Sequence, residues 1–208
     1  MRMAVLKGGR KNHPANIFFE RKTWRTPNDG AVPLDEFRQC PDEFVQIGRP
    51  GLEGAVYRGN LVMGRGGRTR ARNVAVKVFN DRTFAEGYSY GRPEKQFEIY
   101  SELKELNRKS GLGLHLLPMV RLLDREQGTP YLVMTEISPI NLNYYIANHF
   151  LPSEARQDYL NDVERQTRIL AEHGYLCVQD AFVPVKGRNN TVFAMILDLG
   201  GIKRVGET

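Results

Sequence analysis

Cysteine and histidine are scarce in this chain, and long apolar runs are missing. The two cysteines, Cys40 and Cys177, form no C-x-x-C pair, and the four histidines, His13, His115, His149 and His173, are scattered. That distribution excludes a zinc-ribbon pattern and a disulfide framework, and a reducing cytosol is the natural setting. No stretch approaches the roughly 18–20 apolar residues that cross a bilayer, so no membrane partner is expected. The start, Met1-Arg2-Met3-Ala4-Val5-Leu6-Lys7, has neither a long apolar segment nor a small-residue cleavage site. A secretory signal of the usual kind is therefore not expected.

What is present fits one domain or two small lobes: 208 residues, 41% hydrophobic and 26% charged. The net charge of +6 is uneven, with four arginines in the run Arg65-Gly66-Gly67-Arg68-Thr69-Arg70-Ala71-Arg72. A nucleic-acid grip and a solvated hairpin tip both fit such a run. The absence of interleaved aromatics that could stack bases favours the hairpin tip, and no nucleic-acid partner is expected.

Residues 1–40 carry Gly8-Gly9, Pro14, Pro27, Gly30 and Pro33 with no sustained period, and read as an irregular N-terminal extension. From Phe44 the pattern turns strand-like: Phe44–Ile47, Ala55–Tyr57, Leu61–Met63 and Val74–Phe79, separated by turn signals. Residues 93–109 change to a helical period, with Pro93 at the start and Ile99, Tyr100, Leu103 and Leu106 on one face. Short strands follow at Val120–Leu123 and Tyr131–Met134. A second helix runs from about Pro152-Ser153-Glu154 to His173-Gly174, and a hairpin of two strands, about Ala181–Val185 and Val192–Leu197, closes the chain. This is an α+β order rather than βαβ alternation. The expected division is an extension at 1–40, a sheet-rich lobe at 41–136 and a helical lobe at 137–208.

Two of these strands end in residues with chemistry. Val74-Ala75-Val76-Lys77 delivers one lysine, and Met195-Ile196-Leu197-Asp198-Leu199-Gly200-Gly201 delivers one aspartate into glycines. A strand lysine is usually solvated, and an aspartate before glycine often caps a turn. Their neighbours give both a second reading. Upstream of Lys77, Gly48, Gly51, Gly54 and Val56 form a glycine segment whose backbone could approach phosphates. Downstream, the helix resembles the one on which kinases carry the glutamate that holds this lysine, and the resemblance puts Gln96 at that position, with Glu102 as second choice. Tyr131-Leu132-Val133-Met134-Thr135-Glu136-Ile137 resembles the strand that leads to a kinase hinge, which implies Met134 at the back of a nucleotide pocket and the backbones of Thr135 and Ile137 at an adenine edge. Asp180 is the only carboxylate between the second helix and the final strand. It can be placed as a catalytic base or, with Asp198, as a magnesium ligand. A register that starts at His173 would instead put Tyr175 where a base belongs.

In order and spacing, these pieces resemble the protein kinase superfamily from about Val45 to Gly201. They parallel its G-x-G-x-x-G-x-V loop, V-A-I-K strand, catalytic loop and D-F-G turn. The chain ends ten residues after Asp198, without an activation segment or the helical bundle beyond it. In this it is similar to the HopBF family of minimal effector kinases from bacterial pathogens. The resemblance implies a minimal bilobal kinase fold and an ATP- and Mg2+-dependent Ser/Thr protein kinase. It further implies a secreted bacterial effector that acts as a monomer in the host cytoplasm on the heat-shock protein 90 chaperone. It carries over Lys77 as phosphate contact, Asp180 as catalytic-loop acid and Asp198 as metal ligand. A pseudokinase-type binding module and a small-molecule phosphotransferase are the alternative readings.

Overall fold

Alternating β-branched and apolar residues around one long hairpin set the larger sheet. The computed structural model describes residues 6–7, 15–20, 31–33, 45–47, 53–65, 68–80, 91–123, 131–137, 154–187 and 191–206. Over these residues the protein is mixed α+β, with antiparallel sheets and two α-helices. It divides into two units: Met1–Phe97 with Pro118–Glu136, and Glu98–Leu117 with Ile137–Thr208.

In the first unit, β1 (Leu6–Lys7), β2 (Ala15–Glu20), β3 (Ala31–Pro33), β4 (Gly54–Arg65), β5 (Arg68–Phe79), β6 (Val120–Leu123) and β7 (Tyr131–Thr135) make one antiparallel sheet. Its spatial order is β1-β6-β7-β5-β4-β2-β3. β4 and β5 pair along their whole length, from Gly54 opposite Phe79 to Arg65 opposite Arg68. The two short runs expected at Ala55–Tyr57 and Leu61–Met63 are thus one continuous strand, because Gly59 lies within the ladder opposite Val74 rather than in a turn.

β5 is flanked on both sides, by β4 and β7. Its successive residues Val74, Ala75 and Val76 point to alternate faces and are all buried, so both faces of this stretch are covered. Of the segment expected as a strand at Phe44–Ile47, residues 45–47 are described and carry a bridge, Gln46 opposite Tyr57. The N-terminal residues differ from expectation: strands at 6–7, 15–20 and 31–33 join this sheet. The run Ile17-Phe18-Phe19 sits among glycines and prolines, and its pairing with β4 is non-local, so no local period announces it.

Helix α1 (Pro93–Ser110) opens on Pro93 with Glu94 in its first turn and closes with Arg108 and Lys109, charges that suit the helix dipole. Gly111, at φ +61°, ends it, its N–H reaching the Asn107 carbonyl. α1 gives residues 93–97 to the first unit and the rest to the second.

In the second unit, α2 (Glu154–Glu172) buries Ala155, Val163, Gln166 and Leu170, one helical stripe. β8 (Tyr175–Cys177) pairs antiparallel with β11 (Ile202–Arg204), and β9 (Phe182–Lys186) with β10 (Val192–Ile196). The β9–β10 hairpin follows the expected positions within a residue.

α2 meets this unit's other segments through Asp162 and Gln166. The Asp162 carboxylate accepts from the Ala194 N–H at 2.8 Å and from Arg165, and lies 2.9 Å from His115 Nδ1. Gln166 is fully buried, accepts from the His115 N–H and donates to Asp162 and the Ala194 carbonyl. Burial alone would raise the Asp162 carboxyl. The Ala194 N–H, Arg165 and His115 outweigh it and hold the group below the ordinary carboxylate range.

Candidate functional site

The candidate residues fall into two clusters, one in each unit. In the first, Lys77 sits in β5 with Val56 opposite it on β4 and Leu132 on β7. Its side chain is only 14% exposed. Lys77 Nζ donates to Glu53 Oε2 at 2.5 Å and to Gln96 Oε1 at 3.3 Å, and lies over the Phe79 ring. A half-buried ammonium needs such partners, because desolvation without them is costly.

Gln96, 1% exposed, is fully satisfied: its amide donates to Glu53 Oε2 at 2.9 Å and to the Gly91 carbonyl at 2.9 Å. The opposite orientation of the amide would place its NH2 against the ammonium and its oxygen against two acceptors. The hydrogen-bond pattern therefore admits only this one.

Glu53 stands outside the residues expected from sequence. Its only signal is an acid lodged in a glycine-containing segment just before a strand. Two backbone features hold it. Its carbonyl accepts from the Asn80 N–H at 2.9 Å. The next residue, Gly54, lies so close to β5 that a β-carbon there would stand 2.0 Å from the Val78 carbonyl oxygen. Gly54 is thus required by strand-to-strand approach. Gly48 and Gly51 lie outside the described residues.

Two further expected nucleotide contacts of this unit, Met134 and Thr135, lie on β7, whereas Ile137 belongs to the second unit. Met134 is buried, opposite Ala75 and Val120. The Thr135 N–H donates to the Met119 carbonyl at 2.9 Å. The Thr135 hydroxyl is buried with no hydrogen-bond partner among the described residues. Ile137 is half-buried.

In the second unit, Asp180 is exposed in a 3-10 turn, Gln179–Ala181, and Asp198 is exposed at the head of another, Leu199–Gly201. The two turns are stitched together. The Leu197 and Asp198 N–H groups both donate to the Ala181 carbonyl, and the Val178 N–H donates to the Gly201 carbonyl. A β-carbon at Gly201 would stand 2.7 Å from Val178 Cγ2 and 3.1 Å from Ala181 Cβ, so the second glycine of the Asp-Leu-Gly-Gly turn permits this contact. Asp198 caps its own turn, accepting from the Gly200 N–H at 3.1 Å. The turn-capping role open to it from sequence is therefore present.

These acids shape nearby groups. Burial pushes the Cys177 thiol up to about 12, and the Asp198 charge adds to this. Burial, then the Asp180 charge, raises the Tyr159 phenol. Among the described residues no three of His, Cys, Asp and Glu gather into a metal cage. Two carboxylates on adjoining turns suit magnesium, which is commonly held by one or two carboxylates plus substrate phosphates.

Two expected residues are engaged elsewhere. Glu102 accepts from the Tyr175 hydroxyl at 2.9 Å and from Arg204, which also reaches Glu98. Six residues separate it from Gln96, about 240° around a helix, so the two do not share a face. Tyr175 is buried in β8 with its phenol spent on Glu102, which removes it from the role of base.

No protein-family model matches this chain, and no curated protein matches it. No helix among the described residues is long and apolar enough to cross a membrane.

Proposed function

We propose that this protein is an ATP- and Mg2+-dependent Ser/Thr protein kinase with a reduced bilobal kinase-like fold. The observation that carries the reading is Lys77: a half-buried lysine on a central strand, held by a carboxylate and by a helical side chain. Kinases prepare their phosphate-binding lysine by this kind of pairing. In this reading Lys77 contacts the nucleotide phosphates, and Met134, Thr135 and Ile137 line the adenine side. Asp198 would hold the magnesium ion, which when bound would neutralise charge on the phosphates. Asp180 accepts the proton of the substrate hydroxyl as the new O–P bond forms and the bond to the leaving diphosphate breaks. The buried Tyr175 supports giving the base role to Asp180.

The resemblance to the HopBF effectors extends the proposal to an effector delivered into a host cell, with the heat-shock protein 90 chaperone as substrate. Incubation with labelled ATP, magnesium and that chaperone tests it. Wild type transfers label to a serine or threonine, Asp198→Ala abolishes transfer and Lys77→Ala cripples it. Equal labelling by wild type and Asp198→Ala would refute the assignment. Binding of magnesium–ATP, seen as a raised melting temperature without transfer, would identify a nucleotide-binding module instead.

A further inference from the structure

The acid nearest Lys77 does not come from the helix. The helix contributes Gln96, a neutral amide, and the carboxylate comes from Glu53, in the segment that precedes β4. Three facts make this arrangement a built one. Gln96 is buried, uses both amide protons and its oxygen, and bridges Glu53 to Lys77. Glu53 has its backbone tied to Asn80 and is followed by a glycine pressed on Val78. Both charged side chains are less than one-fifth exposed.

We propose that Glu53 is the positioning residue of Lys77, with Gln96 as the bridge between them. The catalytic consequence rests on the kinase reading, whereas the pairing is a property of the first unit alone. Its mechanistic meaning is specific. When the acid sits on a helix, the helix sets the lysine. Here Glu53, at the entry to β4, sets it. A carboxylate at position 96 could not replace Glu53 simply, because it would face the Gly91 carbonyl and the Glu53 carboxylate at once.

The test uses Glu53→Gln, which keeps size and removes charge, and Glu53→Ala as a second variant, both checked for folding by circular dichroism. First, nucleotide-free protein is acylated with a lysine-directed ester and Lys77 is quantified by peptide mass spectrometry. Both variants should label Lys77 several-fold faster than wild type, and an unchanged rate in folded protein would overturn the pairing. Second, transfer is measured over a range of ATP concentrations. Loss of a hydrogen bond to a charged group should lower kcat/KM about tenfold to a hundredfold, with a rise in the KM for ATP. Unchanged kcat/KM alongside faster acylation would overturn the positioning role. If wild type transfers nothing, the kinase reading falls, and the acylation rates still decide the pairing.

Discussion

The Tyr175 hydroxyl donates to Glu102 at 2.9 Å, joining β8 to the second half of α1, and Arg204 on β11 grips the same carboxylate. Burial, then the Glu102 charge, raises the phenol above its ordinary value. Tyr175→Phe should cost about 1–2 kcal/mol of stability, read by urea unfolding, because a hydrogen bond to a charged acceptor is lost. It should leave phosphate transfer nearly intact, whereas Asp180→Asn removes it. A Tyr175→Phe protein with full stability and no transfer would return the base role to the tyrosine.

Asp162 makes the second unit sensitive to acid. Its carboxyl is depressed in the folded protein, so its stabilisation is fully present above the unfolded value of about 3.9 and is lost as pH falls through the folded value. Asp162→Ala strips partners from Arg165, the Ala194 N–H and Gln166, and should cost about 3 kcal/mol at neutral pH. Melting curves from pH 7 to pH 2 should show wild type converging on the variant at the acid end. Parallel curves would exclude Asp162 as the source of acid lability.

Gly54→Ala should destabilise the first unit by about 2–3 kcal/mol, because the new β-carbon meets backbone rather than a flexible side chain. Thermal unfolding measures it. Gly111→Ala supplies a comparison, since open space surrounds that site and only its positive φ opposes the change. A larger loss at Gly111 than at Gly54 would contradict the packing argument.

Cys177 should resist alkylation in the folded protein. With its thiol pushed up to about 12, the reactive thiolate is scarce at pH 8. Iodoacetamide labelling of the Cys177 peptide should run at least about tenfold slower than in urea-unfolded protein. Equal rates would show that the thiol is not protected.

Much of this was legible where chemistry and periodicity coincide. The helix beginning at Pro93 and the hairpin before Asp198 each carry their own local signal and are present within a residue or two, while the strand expected at Val74–Phe79 ends where expected but begins six residues earlier, at Arg68. Gln96 was legible as a partner of Lys77 through the kinase resemblance, whose helix motif puts it where a lysine-holding glutamate is expected, and it does meet Lys77. Three features were not legible, for one shared reason. Strands 15–20, 175–177 and 202–204 pair with distant partners and are too short to show alternation. Glu53 was hidden because loop acids are common and only the approach of Gly54 to Val78 brings this one to the lysine. Glu102 looked available because its partners, Tyr175 and Arg204, arrive from about 73 and 102 residues further along the chain.

The chain leaves the first unit at Phe97, supplies Glu98–Leu117 to the second, and returns at Pro118. Neither unit can therefore be cut out as an uninterrupted fragment. A ribosome releasing residues 1–136 would present β1 to β7 complete, together with Glu98–Leu117, a segment of the second unit whose remaining residues, 137–208, are still to come. Expression of residues 1–136 alone should give insoluble product, and the natural dissection is a loop bridging Phe97 to Pro118, rather than a stop codon.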